Sequence, residues 1–345
     1  MEPQIQYATA PDGVRIAFWS LGDGVPFLMI SPMPYSNVQK EWGWAPQRGF
    51  YEDLMPGLQL IRYDCRGAGL SDRDISDYSL EAQAGDILAV ADRLGLERFA
   101  LEGFAHSGGV AIHLAANYPE RVSHLVLWCC YPRGTDYGRA PREKVLDSLM
   151  EEDWEFWTRA EAFRLSEYEG GRMSKFVLEY IRESLTEKGS KAAVEVLRKV
   201  DVTALMPRVR APTLVLHRTG IAPITVDMAR ELASTIPNAR LMLFQGSWIV
   251  PYFGGGGKEI AAAMRSHILE TPAAPAESRT SLAPLTPRET QVLCLIAAGR
   301  TSTEISSELS LSVRTVGRHI TNIYAKIGAR TRADATAYAI RNRLA

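Results

Sequence analysis

Apolar runs at 26–30, 58–63, 99–103, 123–130, 213–217 and 240–244 alternate with amphipathic stretches at 79–95, 107–118, 225–236 and 258–269. The runs have strand length and the stretches between them have helix length. Elements in that order bury their apolar surfaces best as a mostly parallel sheet with helices on both faces, so the expected class is α/β. Ahead of the first run, residues 4–9 and 14–20 flank Pro11-Asp12-Gly13, which predicts a hairpin. The chain has 345 residues, more than one core usually fills, and a second domain is expected.

Residues 132–205 interrupt the alternation with a helical pattern rich in large apolar groups, among them Trp154, Phe156, Trp157, Phe163, Phe176 and Tyr180. An insertion between core strands, at their carboxyl ends, is where a lid over a pocket belongs. The aromatics serve either the pocket or the lid's own small core, with Trp154 and Trp157 the better pocket candidates. Residues 270–283 are rich in Pro, Ala and Ser without periodicity, and read as a linker between a domain at 1–269 and another at 284–345.

The two parts differ in charge. Residues 280–345 hold nine Arg and Lys against four acids, a net +5, which leaves −6 for the rest of a chain whose total is −1. A basic tail on an acidic body points to nucleic acid as the partner of the tail alone. The tail reads as four short helices. Thr286-Pro287-Arg288-Glu289 and Thr301-Ser302-Thr303-Glu304 are capping boxes, Gly299 ends the first helix, Ser312 can cap the third, Gly328 ends it, and Thr331 opens the fourth. On the third helix Val316, Ile320, Ile323 and Ile327 recur at the spacing of a buried stripe. Its other face carries Arg314, Arg318, Thr321 and Asn322, groups able to touch phosphates and base edges.

The segment from Leu285-Thr286-Pro287-Arg288-Glu289 through Val292-Leu293, Gly299, Glu304-Ile305, Leu309, Ser312, Thr315-Val316, His319, Asn322-Ile323-Tyr324 and Lys326 resembles the LuxR-type helix-turn-helix. The resemblance implies that the third helix enters the major groove and the fourth makes a dimer contact. The expected DNA-contacting set is Thr301, Ser312, Arg314, Thr315, Arg318, Thr321, Asn322 and Lys326. Gly317 stands where this family commonly has a basic residue reaching the groove, which shifts base reading toward Arg318 and Thr321.

In the front part, Gly103-Phe104-Ala105-His106-Ser107-Gly108 carries a strand sharply into a helix and resembles the nucleophile elbow of α/β-hydrolases, G-x-S-x-G. Asp64-Cys65-Arg66-Gly67-Ala68-Gly69-Leu70-Ser71-Asp72, Tyr118-Pro119-Glu120-Arg121-Val122 and Pro212-Thr213-Leu214-Val215-Leu216-His217 match further segments of that family in the family's order, so the resemblance covers roughly residues 1–269. The implied architecture is an α/β-hydrolase-like, mostly parallel sheet with a helical lid, followed by the small all-α domain. Its catalytic positions, however, read Ala105 for the serine, Ile221 for the acid and Ile249 for the histidine. The oxyanion loop reads Ser31-Pro32-Met33-Pro34, whose prolines lack N–H donors. A serine nucleophile needs a base and the base an orienting group, so no catalytic residue is expected. His106 and Ser107 are adjacent at a helix start, project in different directions and do not form a substitute pair. Two isoleucines near Trp248 predict an apolar wall, and the expected ligand contacts are Ser31, Met33, Ala105, His106, Trp128, Trp154, Trp157, Ile221, Trp248 and Ile249.

Together these features predict a DNA-binding transcription regulator that senses an apolar small molecule. The expected partners are double-stranded DNA and a second copy of the chain, with a contact to RNA polymerase allowed for. Two alternatives stay open: an enzyme with unorthodox residues around His106 that also regulates, and a front domain that only binds another protein. No phosphorylation-receiver pattern is present, which favours a small-molecule input. Cys65, Cys129, Cys130 and Cys294 lack metal-ligand spacing, and neither metal nor cofactor is expected. Gly254-Gly255-Gly256-Gly257-Lys258-Glu259 lacks the Ser/Thr of a phosphate-binding loop. Residues 1–13 show no signal pattern and no apolar run approaches membrane-spanning length, so a cytoplasmic location is expected.

Overall fold

A computed structural model describes residues 2–32, 34–137, 141–166, 170–270, 287–309, 311–313, 315–317, 319–320, 323, 332, 335–336 and 339. The chain forms two compact units, Met1–Thr271 and Pro272–Ala345.

The first unit is built on an eight-stranded sheet of order β1-β2-β4-β3-β5-β6-β7-β8. The strands are β1 (Gln6–Thr9), β2 (Arg15–Leu21), β3 (Val25–Met29), β4 (Leu58–Tyr63), β5 (Phe99–Phe104), β6 (Val122–Trp128), β7 (Thr213–Arg218) and β8 (Ala239–Phe244). β1 and β2 form the expected hairpin, and β2 also runs antiparallel to β4. From β4 onward every pair is parallel. Packed on the sheet are α1 (Val38–Gly43), α2 (Ala45–Leu54), α3 (Leu80–Arg93) and α4 (Gly108–Asn117), and the insertion between β6 and β7 supplies α5 (Gly134–Tyr137), α6 (Pro141–Glu152), α7 (Trp154–Leu165), α8 (Arg172–Ser184) and α9 (Glu187–Lys199). α10 (Val226–Thr235) and α11 (Gly257–Leu269) complete the unit.

The period-2 pattern of each strand divides the core between the faces. Phe99 and Leu101 pack with Ile61, Ile87, Val110 and Leu114 under α3 and α4. Ala100, Leu58 and Leu60 pack with Trp19, Phe50, Leu54 and Met264 under α2 and α11. Three positions on this second face break the apolar pattern: Glu41 on α1, Arg62 on β4 and Glu102 on β5 are all buried. Away from the site, Arg66 in the 64–72 turn is fully buried and ties it to α3 through a bidentate pair with Asp86, at 2.7 and 2.8 Å.

The second unit contains α12 (Pro287–Ala297) and α13 (Ser302–Glu308). Gly299 adopts the left-handed conformation, φ +83°, that ends α12. Thr301 and Glu304 satisfy each other's backbone N–H groups as a capping box at the start of α13. Ser312 Oγ accepts from Thr315 N at 3.0 Å and so caps a further helical stretch. In that stretch Val316 and Ile323 are fully buried and Ile320 packs beside them, against Val292, Leu293, Ile296 and Ile305. The linker, Thr286, Arg314, Arg318, Thr321, Asn322, Lys326, Ile327, Gly328 and Thr331 lie outside the described residues, as does Met33. Among the described residues no helix is long and apolar enough to cross a membrane, and no group of three or more His, Cys, Asp or Glu could hold a metal ion.

Candidate functional site

β5 ends at Phe104 and the chain turns within Ala105–Ser107 into α4. Ala105 sits at the apex with φ +48°, in the left-handed region that a non-glycine residue seldom occupies. The turn is tight because the glycines flanking it admit close approach: a Cβ on Gly103 would lie 2.9 Å from the Gly108 backbone and from Ala111. The strained elbow is therefore present, with the Ala105 methyl group at its apex.

The neighbouring polar groups are committed elsewhere. Ser107 is fully buried, and its hydroxyl donates to Phe104 O at 3.0 Å while accepting from Phe104 N at 2.9 Å. His106 bonds Tyr131 through Nδ1, and its ring lies edge-on to Tyr137. Burial, with the nearby Arg164 cation second, pushes its pKa down to about 4, so the imidazole is neutral at physiological pH.

Ala105 and His106 open onto a cavity of about 150 Å³ at the carboxyl ends of the strands, roofed by the lid residues Leu165, Met173, Phe176, Val177 and Tyr180. Its aromatic walls are Trp44, Phe50, Tyr51, Phe104, Tyr252 and Phe253. Its floor is charged. Arg62 donates to Glu41 at 2.6 Å, to Ser31 Oγ at 2.6 Å and to Met29 O at 2.6 Å. Glu41 also accepts from Tyr51 at 2.9 Å and Tyr180 at 3.1 Å, which joins lid to floor. On the lid side, Arg164 pairs with Glu161, which also accepts from Tyr35 at 2.6 Å.

Glu102 stands apart from these pairs. It lines the same cavity at 2% exposure, two strands from Arg62 and on the same face, with Met29 of β3 between them. Among the described residues its carboxyl has no hydrogen-bond or ion-pair partner, and burial pushes its pKa up to about 7 against a weaker pull from Arg62. A carboxyl whose pKa is higher folded than unfolded leaves the fold unpenalised below about 4.5 and fully penalised above about 7. Glu102→Gln is therefore expected to raise the melting temperature at about pH 8 and to change it little at about pH 4.5. Melting curves at the two pH values check this, and an equal change at both would contradict it.

The expected ligand contacts divide. Ala105, His106 and Ile249 line the main cavity, and Trp157 lines an adjoining one of about 60 Å³ with His106, Tyr131 and Tyr137. Ser31 is buried beneath the floor, where it holds Arg62. Ile221 is core, at 7% exposure, and does not line the cavity. Trp128 is fully buried and acts through another residue, its indole N–H donating to Ile249 O at 2.7 Å. Trp154 stacks on Trp157 at 4.7 Å in the lid's own cluster, and Trp248 packs on Phe253 at 5.2 Å. The cavity lining is mainly apolar and aromatic, with Arg62 and Glu102 set into it, because these two occupy inward positions of otherwise apolar strands. Those two charges at core-facing positions were the signal available in the sequence.

In the second unit, Thr301 and Ser312 serve as caps and Thr315 bonds Ser312.

Residues 41–155 match the family described as alpha/beta hydrolase fold, and residues 283–339 match the bacterial regulatory proteins of the luxR family. The front part is 28% identical over 224 residues to a pimeloyl-[acyl-carrier protein] methyl ester esterase from Nitrosomonas europaea, covering 61% of this chain and 87% of that protein. The tail is 50% identical over 60 residues to the transcriptional regulatory protein LiaR of Bacillus subtilis, covering 17% of this chain and 28% of that protein. Among solved structures, an esterase from Exiguobacterium antarcticum superposes with a TM-score of 0.67 at 21% identity, over 77% of this chain and 99% of its own, a likeness of fold. The chain joins an alpha/beta hydrolase-fold domain to a C-terminal helix-turn-helix domain of the luxR family of bacterial regulatory proteins.

Proposed function

We propose that the protein is a ligand-responsive, DNA-binding transcription regulator whose hydrolase-fold domain binds a small molecule without hydrolysing it and passes the state of its cavity to the helix-turn-helix. The observation that carries this reading is the elbow at Ala105, which keeps its strained backbone and faces a lidded cavity but presents no nucleophile. A cavity with aromatic walls and a few placed polar groups is suited to orienting a small ligand. The tail supports the output half of the reading through its luxR-family match. A lid held to the floor by Tyr180 and Glu41 gives ligand binding a route to reposition α8. The ligand this cavity suits is amphipathic rather than wholly apolar. The deciding experiment is retardation of promoter DNA by the full-length protein with and without extracts enriched in small molecules, read together with mass spectrometry of whatever co-purifies. DNA affinity that no compound alters would remove the sensing half.

For the output domain, Arg318 and Thr321 are proposed to read bases, while Arg314 and Lys326 hold phosphate, on a two-fold site bound by a dimer. Arg318→Ala is then expected to cost about 1–3 kcal/mol and to relax preference at one base position. Lys326→Ala is expected to weaken all sequences alike and to flatten the salt dependence by about one unit of slope. Titrations over a range of salt, on specific and scrambled duplexes, separate the two. Identical behaviour of the two variants would refute the division of roles.

A further inference from the structure

The floor of the cavity contains more acid than base. Arg62 spends four of its five N–H groups on Glu41, Ser31 and Met29 O, reaching Glu102 only at longer range, and Glu41 accepts from Arg62, Tyr51 and Tyr180. On the lid side Arg164 is matched by Glu161. That leaves the Glu102 carboxyl, 2% exposed and without a protein partner among the described residues, facing the cavity. A buried carboxylate is costly unless something pairs with it. The surroundings define what can: the rings of Trp44, Phe50, Tyr51, Phe176, Tyr180 and Tyr252 line the same space, and aromatic faces attract cations, most strongly where water is excluded. Once Glu102 is ionised, above about pH 7, a neutral ligand leaves its charge uncompensated and an anionic one adds a second negative charge beside it.

We infer that the ligand of this cavity is an organic cation, an ammonium head set against Glu102 with an aromatic or short aliphatic body among the lid and wall rings. The inference rests on the reading of the cavity as a ligand site. At about 150 Å³ the space matches that of an engineered cavity known to admit benzene, so a single-ring amine is a suitable size.

The test is isothermal titration of the full-length protein, at about pH 8 where amines are still cationic, with 2-phenylethylamine, 2-phenylethanol and phenylacetate. These probes share a ring and differ in the head group. The amine is expected to bind about tenfold or more tightly than the alcohol, a difference typical of a charge-assisted contact, and phenylacetate more weakly than either. Glu102→Gln, which keeps the side chain's shape, is expected to erase the preference for the amine while leaving the alcohol's affinity within about twofold. Equal binding of amine and alcohol, tighter binding of phenylacetate, or a preference that persists in Glu102→Gln overturns the cation assignment and leaves the ligand-site reading standing. Failure of all three probes to bind at millimolar concentration overturns both. The comparison among probes on the unmodified protein stands whether or not the variant folds.

Discussion

Against p-nitrophenyl acetate and butyrate the purified protein is expected to show no turnover above buffer, and Ala105→Ser to leave it there. The elbow positions a methyl group, and the Ser107 hydroxyl two residues on is fully buried and bonded on both sides to the Phe104 backbone. The adjacent imidazole is bonded to Tyr131 and has no hydrogen bond to Ser107 among the described residues. A serine placed at 105 would share the cavity with Ile249, which the sequence reading puts at the base position, while Ile221, put at the acid position, is buried in the core. In a well-studied serine protease, loss of the serine or the histidine alone costs about as much as loss of the whole triad, a factor on the order of 10⁶. One restored member of three therefore recovers nothing measurable. Glu102 does not rescue it, since a lone carboxyl near the elbow without a histidine relay lacks the base's oriented partner. The measurement is initial rates at high protein concentration beside Ser107→Ala and His106→Ala. Turnover that disappears in either variant would establish the competing reading, an enzyme using unorthodox residues.

The features legible in the sequence are local or periodic. The parallel sheet followed from strand-length runs alternating with helices, and Thr301, Glu304, Gly299 and Ser312 marked helix ends because capping is decided within a few residues. The elbow was legible because its glycines sit within five residues of one another. The floor of the cavity was not, for a physical reason. Glu41, Arg62 and Glu102 come from a helix and two non-adjacent strands, and only the crossover that places β3 between β4 and β5 brings them onto one face. Their partners Tyr51 and Tyr180 come from still other elements. In the sequence, two isoleucines and a tryptophan near the site point only to an apolar wall. It could not tell that Ile221 turns into the core or that Trp128 acts by holding Ile249. For the third helix of the second unit, the buried stripe through Val316 and Ile323 agrees with the period of its apolar residues.

Arg218→Met is expected to destabilise the front domain by about 3 kcal/mol. Arg218 is fully buried at the end of β7, and among the described residues it has no carboxylate partner. Its two terminal nitrogens instead donate to five carbonyls of the loop after β8: Trp248 O at 2.9 Å, Phe253 O at 2.6 Å, Val250 O at 3.4 Å, Pro251 O at 3.1 Å and Gly255 O at 2.6 Å. The guanidinium also lies 5.7 Å from the centre of the Trp128 ring. In a working hydrolase the loops after these two strands are tied by a hydrogen bond from the histidine to the acid. With Ile221 and Ile249 read from the sequence as the counterparts of that pair, Arg218 is expected to tie the loops instead, with Trp128 adding its bond to Ile249 O. The two terminal nitrogens carry four N–H groups between them, and at about 1 kcal/mol net for each the fork is worth at most about 4. Removing a buried cation recovers part of that, because burial already lowers the pKa of Arg218. The expected fall in melting temperature is roughly 6–12 °C for a domain of this size. Arg218→Lys is expected to recover little, since a point charge cannot span carbonyls that a planar fork reaches together. Proteolysis should then cut first within 246–256. A melting temperature within about 2 °C of the parent, with that loop still protected, would show that the loop is held by its aromatic packing and not by Arg218.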